Sequence, residues 1–257
     1  SFSGSHFVNA LLDKDFETFA ISRSSHLENV FCPYAWENNR KKPVFYQFDI
    51  NRNNSEIVNI IKTNKINHII NFAAQSMVAQ SWDSPEDWYQ TNVIGQVSLL
   101  HHLKDFDFIE KYIHITTPEV YGTTNGWIKE NYKYNPTTPY AISRATLDMH
   151  LKALYEAYNF PVIFTRAANV YGPGQPLYRI IPRALLLART GNKLSLEGGG
   201  KSIRSFIHIE DVVLATLKIM LDGKIGSCYH ISTNDLIAIK DLVNKISKLT
   251  NINFNEL

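Results

Sequence analysis

Along this chain, short runs of β-branched and aromatic residues alternate with longer stretches in which apolar residues recur at helical spacing. Residues 18–22 (Thr18-Phe19-Ala20-Ile21-Ser22) read as a strand, followed by 44–48, which ends at Asp49, and then by 68–72, 112–115 and 162–165. Helical patterns lie between them at 5–12, 55–65, 88–103 and 140–158, with a last one near 237–249. Alternation of this kind builds parallel βαβ units, and in such sheets ligands bind beyond the carboxyl ends of the strands. The predicted fold class is therefore α/β with a parallel sheet.

Residues 1–6 look like the last part of a glycine-rich turn opening a helix, yet no strand precedes them. A parallel sheet without its central first strand would leave a large apolar slot, so the numbered chain is expected to start after residues that the full protein possesses. The end is also abrupt, a helix followed by an Asn-rich scrap. The stretch Tyr171-Gly172-Pro173-Gly174-Gln175-Pro176 interrupts the sheet-building pattern. It predicts a division into a nucleotide-binding part at 1–170 and a smaller, loop-rich, substrate-binding part at 171–257, interleaved with the first. No internal repeat or low-complexity segment is visible.

Composition narrows the function classes. With 257 residues, 44 % of them hydrophobic, the chain can bury a sizeable core. A net charge of +2 and the lack of any Lys/Arg-rich run argue against a nucleic-acid partner. The longest apolar runs, such as Leu185-Leu186-Leu187-Ala188, fall far short of a membrane span, and no secretory signal is visible. The two cysteines, Cys32 and Cys228, have neither metal-ligand spacing nor a disulfide pattern. The expectation is a soluble cytoplasmic protein without a metal.

Three motifs carry candidate chemistry. In Tyr140-Ala141-Ile142-Ser143-Arg144, Tyr140 and Arg144 lie one helical turn apart on one face. A cation so placed favours a phenolate, which suits a tyrosine to proton transfer near neutral pH. In Thr116-Thr117-Pro118-Glu119-Val120-Tyr121-Gly122, directly after the fourth strand, a hydroxyl can hydrogen-bond a reacting carbonyl and a Glu two residues on can take a proton from carbon. In Asn71-Phe72-Ala73-Ala74-Gln75-Ser76, small residues after a buried strand let a flat cofactor approach the backbone. Taken singly, each has a plainer reading: a surface tyrosine with a solvated arginine, a polar turn, tight packing.

Their order in the chain is more specific. Together with Phe2-Ser3-Gly4-Ser5-His6, Thr91-Asn92-Val93-Ile94-Gly95, Arg166-Ala167-Ala168-Asn169-Val170-Tyr171-Gly172-Pro173 and Arg204-Ser205-Phe206-Ile207-His208-Ile209-Glu210-Asp211-Val212, they resemble the extended short-chain dehydrogenase/reductases, specifically the nucleotide-sugar 4,6-dehydratases. The resemblance covers nearly the whole sequence. It implies a Rossmann-type doubly wound sheet, a catalytic Tyr140 with Thr117 as partner hydroxyl and Arg144 as the cation, and Glu119 as base at C5 of a hexose. It places Gly4 and Ser5 at the dinucleotide pyrophosphate and Asp49, Ile50, Ala73, Ala74, Gln75 and Asn92 along the cofactor. Ser76, Asn169 and Arg204 fall in the sugar-nucleotide site, with Arg204 near the diphosphate. A homodimer through the helices near 92–103 and 140–158 is also implied. Ala145, Leu147, Leu151, Leu154 and Tyr155 supply apolar side chains around more of the second helix than one core-facing stripe needs.

This chain departs from the family pattern at three places. Arg144 stands where a Lys is usual, Pro118 where the glucose-type dehydratases carry a proton-donating Asp, and Ser1 where the turn usually has a glycine. For the cofactor, the second strand of an NAD site normally ends on an acidic residue, whereas this chain offers Ser22-Arg23-Ser24-Ser25. Arg23 with Ser24 suits a 2′-phosphate, so NADP is favoured over NAD. The leading expectation is a nucleotide-diphosphate-hexose 4,6-dehydratase. A 4-epimerase needs no base at C5, a glucuronate decarboxylase needs a cation near C6, and Arg144 keeps in view a cofactor-binding homologue without turnover.

Overall fold

The computed structural model describes residues 1–36, 41–124 and 126–250. In chain order its main elements are α1 (Phe2–Asp13), β1 (Phe19–Ser22), β2 (Val44–Gln47), α2 (Asn54–Thr63), β3 (His68–Asn71), α3 (Pro85–Tyr89), α4 (Gly95–Leu103), β4 (Lys111–Thr116), α5 (Pro139–Tyr158), β5 (Val162–Ala167), β6 (Asn169–Tyr171), α6 (Ile180–Arg189), β7 (Ile203–His208), α7 (Ile209–Asp222), β8 (Cys228–Ile231), β9 (Leu236–Ala238) and α8 (Ile239–Thr250). Local chemistry sets several boundaries. The Ser1 hydroxyl accepts from the Gly4 amide at 3.2 Å and starts α1, while Thr138 accepts from the Ala141 amide at 3.1 Å and, with Pro139 at the first position, starts α5. Asn159, in the left-handed conformation, ends α5.

All five strands read from the sequence are present, each within a residue or two of the expected limits. Of the four further strands, β6, β7 and β8 lack a continuous apolar run to announce them, and the apolar run of β9 leads straight into the last helix. β8, for example, mixes Cys228, Tyr229 and His230 before Ile231. Ile237, expected in the last helix, is instead in β9, where it pairs antiparallel with Arg204 of β7; the helix begins only at Ile239.

β3, β4, β5 and β8 form a parallel sheet in that order, β1 and β2 a separate parallel pair, and β6, β7 and β9 a third group. Helices cover the four-stranded sheet on both faces. On one, Tyr112, Val162 and Phe164 pack with Leu99, Leu100 and Leu103 of α4 and Leu147 and Leu151 of α5. On the other, Ile113 and Ile163 meet Phe7 and Leu11 of α1 and Val213, Leu217 and Met220 of α7. This two-faced burial is the doubly wound arrangement. A smaller cluster of Ala184, Leu194, Val243 and Ile246 joins α6 to α8.

The helical face argued above for a dimer needs correction in its residues. Ala145, Leu147, Leu151 and Leu154 are buried inside this one chain, and Tyr155 is half-buried against the same core, so they form no surplus face. The apolar side chains that α5 and its neighbour do expose are Ile142, Met149, Tyr158 and Ile94.

Candidate active site

The functional motifs meet where the parallel strands end. Asn71 of β3 is in register with His114 of β4, and Thr116 of β4 with Arg166 of β5. The segments beginning at Phe72, Thr117 and Ala168 therefore leave the sheet side by side. The first turn of α1 joins them: a Cβ built on Gly4 would lie 3.6 Å from the Phe72 ring and 2.7 Å from the Ser1 hydroxyl. A side chain there would displace the Ser1 hydroxyl that caps the helix, while meeting the Phe72 ring at ordinary contact distance. With its backbone donors and positive dipole end, that helix start suits a pyrophosphate.

Glu119 is carried by a short turn of 3₁₀ helix, Pro118–Tyr121. The Thr117 hydroxyl caps this turn by accepting from the Glu119 amide at 3.2 Å, which leaves its own proton free to be donated. Glu119 is exposed, whereas Val120 and Tyr121 are buried against Ala145 of α5. The turn closes at Gly122, whose φ of +67° brings the chain so near the Asn135 carbonyl that a Cβ would stand 2.1 Å from it. Tyr140 lies in the first turn of α5, so the glutamate turn and the tyrosine helix share one packed contact.

The loop after β3 is held by side-chain amides. Asn71 accepts from the Ala73 amide at 2.9 Å and donates to Gln96 at 2.7 Å and to the Tyr112 hydroxyl at 2.6 Å; Gln96 donates to the Ala73 carbonyl at 2.9 Å. Asn92 sits on a π-helical stretch, Gln90–Ile94, between α3 and α4. It accepts from the Gln75 amide at 2.8 Å and donates to the Gln75 carbonyl and the Ser143 hydroxyl, both at 3.0 Å. Asn92 thus ties the loop of Ala73, Ala74 and Gln75 to α5.

Arg144 is only 2 % exposed. Its Nη2 donates to the Ile115 carbonyl and lies 3.4 Å from His114 Nε2, while its Nε and Nη1 are buried with no protein partner. Buried guanidinium donors one turn below Tyr140, small residues beside β3 and the start of α1 together fit a dinucleotide. Arg144 could donate to its ribose hydroxyls and α1 could receive its diphosphate.

Next to Arg144 is a group that motif reading missed. Asp148, fully buried, accepts from Arg166 Nη2 at 2.9 Å and lies 3.3 Å from His114 Nε2. Burial raises the Asp148 carboxyl, but the contact with His114 and the charge and hydrogen bond of Arg166 outweigh it and hold the group below the usual carboxylate range. Burial lowers His114, so that it stays a neutral imidazole. Arg166 also reaches Tyr121, Tyr134 and Cys228, whose thiol burial pushes up to about 11. A sequence signal for this group existed: His114 and Arg166 interrupt otherwise apolar strands, and Asp148 follows Arg144 by four residues.

The remaining expected residues lie nearer the surface. Arg23 and Ser24 are exposed just past β1. Asp49 accepts from the Asn51 amide at 2.9 Å, and Ile50 packs on the main core. Ser5 is buried and donates to the Phe2 carbonyl at 2.8 Å, and Ser76 is exposed. Asn169 on β6 donates to the Ser205 carbonyl at 3.1 Å; Arg204 on the neighbouring β7 is exposed and donates to the Ile203 carbonyl at 3.0 Å. Among the described residues no group of three or more His, Cys, Asp or Glu could hold a metal ion, and no helix is long and apolar enough to cross a membrane.

Comparison with known proteins shows the family and the fold. A trifunctional UDP-glucose 4,6-dehydratase/UDP-4-keto-6-deoxy-D-glucose 3,5-epimerase/UDP-4-keto-L-rhamnose-reductase of Arabidopsis thaliana is 32 % identical over 98 % of this chain, which spans 38 % of that protein's length. The human dTDP-D-glucose 4,6-dehydratase is 32 % identical over 96 % of this chain and is covered over 71 % of its own length. Among solved structures, the dTDP-glucose 4,6-dehydratase of Bacillus anthracis in complex with NAD superposes with a TM-score of 0.87 at 29 % identity, covering 100 % of this chain and 80 % of its own. The sequence profile described as GDP-mannose 4,6 dehydratase matches residues 2–256, and the chain belongs to that family.

Proposed function

We propose that the protein is a nucleotide-diphosphate-hexose 4,6-dehydratase, converting its substrate to a 4-keto-6-deoxy sugar nucleotide with loss of water. The observation that carries this reading is the packing of the Glu119 turn onto α5 beside Tyr140, at the carboxyl ends of β3, β4 and β5. Relatives named as 4,6-dehydratases and a solved relative in complex with NAD support it.

The residues divide the work as follows. Thr117 donates its hydroxyl proton to the oxygen on C4 and holds that oxygen near Tyr140. Tyr140 takes the proton of the C4 hydroxyl. A nicotinamide, when bound, supplies the redox chemistry by accepting hydride from C4 and returning it to C6. The C4 ketone acidifies the hydrogen on C5; Glu119 removes it while the C6 hydroxyl departs as water, and once C6 is reduced a proton from water is returned to C5. Pro118 has no proton to give, so the departing hydroxyl is protonated by Glu119 or by water. Arg144 supplies a guanidinium on the same helix, one turn after Tyr140. Asn169 and Arg204 bind the sugar nucleotide, Arg204 through its diphosphate.

We read the cofactor as NADP. Arg23 and Ser24, both exposed at the end of β1, can donate to a 2′-phosphate where an NAD site would present a carboxylate. We also read the protein as a homodimer, through the face of α5 that exposes Ile142 and Met149, together with Ile94.

Incubation with a panel of nucleotide sugars, read by mass spectrometry, tests the reaction class: a product lighter by one water is expected, and loss of carbon dioxide or an unchanged mass would overturn it. In the Tyr140→Phe enzyme turnover should drop by roughly 10²–10⁴-fold with cofactor binding retained; a near-normal rate removes Tyr140 from the mechanism. In Glu119→Gln, exchange of the C5 hydrogen with deuterated water should fall by a similar factor while cofactor reduction persists, and unchanged exchange would clear Glu119 of the role. Arg23→Ala should weaken NADP roughly tenfold or more and leave NAD nearly unaffected, as expected for a lost charge-assisted bond; titration of both cofactors decides, equal losses making Arg23 a bystander. Met149→Asp should halve the mass seen by light scattering at micromolar concentration; a monomer before substitution refutes the dimer.

A further inference from the structure

We propose that Arg166 is a positioning residue that sets the Glu119 turn against the Tyr140 helix, and so couples proton removal at C5 to proton transfer at C4. The inference rests on the dehydratase reading for its consequence, but on the fold alone for its geometry. Arg166 lies on β5, between the two elements, and is 1 % exposed. Its Nη1 donates to the Tyr121 hydroxyl, two residues beyond Glu119, and to the Asn131 carbonyl at 3.2 Å. Its Nη2 donates to Asp148 of α5 at 2.9 Å and to the Tyr134 hydroxyl at 2.7 Å. The guanidinium plane lies 4.8 Å from the centre of the Tyr121 ring and 5.2 Å from that of Tyr134.

One rigid fork therefore grips both halves of the site. Asp148 sits two helical turns after Tyr140 and also meets His114, which in turn meets Arg144. On the other side, the Tyr121 hydroxyl is held a second time by His230 Nε2 at 2.9 Å, and the His230 amide donates to Glu130 at 3.0 Å. The Asn135 amide donates to the Val120 carbonyl at 3.0 Å, so the 131–135 segment presses the turn from outside. A lysine could not replace this arginine, because a single ammonium lacks the planar pair of donor arms that reaches Tyr121 and Asp148 at once.

Tyr121→Phe removes the hydroxyl and keeps the ring, so the fold should survive where Arg166→Lys can fail to fold. The first measurement needs no substrate: amide hydrogen exchange across residues 117–122 and across α5. In Tyr121→Phe, exchange over 117–122 should rise roughly tenfold or more, as the loss of the hydroxyl's bonds to Arg166 and His230 implies, while the amides around Leu147 and Leu151 keep their protection. An unchanged turn, or an equal rise in both segments, overturns the proposal. The second measurement is the ratio of C5 hydrogen exchange to cofactor reduction with the accepted nucleotide sugar. Tyr121→Phe should lower that ratio severalfold, whereas an equal fall in both steps overturns the coupling. If the unsubstituted protein reduces cofactor with no nucleotide sugar, the dehydratase reading fails, and the exchange measurement alone decides the role of Arg166.

Discussion

Two guanidiniums, Arg144 and Arg166, are buried between the sheet and α5 with one carboxylate, Asp148, to balance them. Desolvating three such groups costs several kcal/mol per ion, and leaving any one unpaired costs about 3–5 kcal/mol more, so the surrounding structure is constrained to keep them together. Leucines at these places would pack without that cost. What the ionic group supplies instead is direction. Arg166 can satisfy Asp148, Tyr121 and Tyr134 only when β5, α5 and the turn after β4 stand in one arrangement. In that arrangement the turn that carries Glu119 packs on α5, the helix that carries Tyr140.

The polar groups around the loop after β3 follow the same logic with neutral partners. Asn71, Gln96 and Asn92 convert a run of small residues after β3 into a fixed surface, because each backbone group of Ala73 and Gln75 that they hold is no longer free to turn. The π-helical stretch before α4 serves that end, since it is where Asn92 is presented to both the loop and Ser143. The shape of the loop is thus set by residues that lie outside it. Arg144 combines both kinds of role: one arm is anchored at Ile115, and two of its nitrogens have no protein partner.

Much of this was legible in the sequence. The βαβ alternation follows from periodicity, because apolar residues at spacings of two or of three to four can be buried only as strands or helices. The motifs around Gly4, Thr117, Glu119 and Tyr140 specify local turns and helix starts, in which the deciding contacts lie within a few residues. The cap of Thr117 on Glu119 and the start of α5 at Thr138 are of that kind. What only the tertiary structure decided is which distant residues meet. Arg166 and Tyr121 are separated by 45 positions and Asn92 and Ser143 by 51, and no periodicity encodes such a pairing. The burial of Ala145, Leu147, Leu151 and Leu154 within one subunit was likewise hidden, because an apolar residue on a helix can face its own core or another chain with the same pattern. Local spacing determines which elements form; the burial of charge and the closing of the sheet determine which of their side chains become one site.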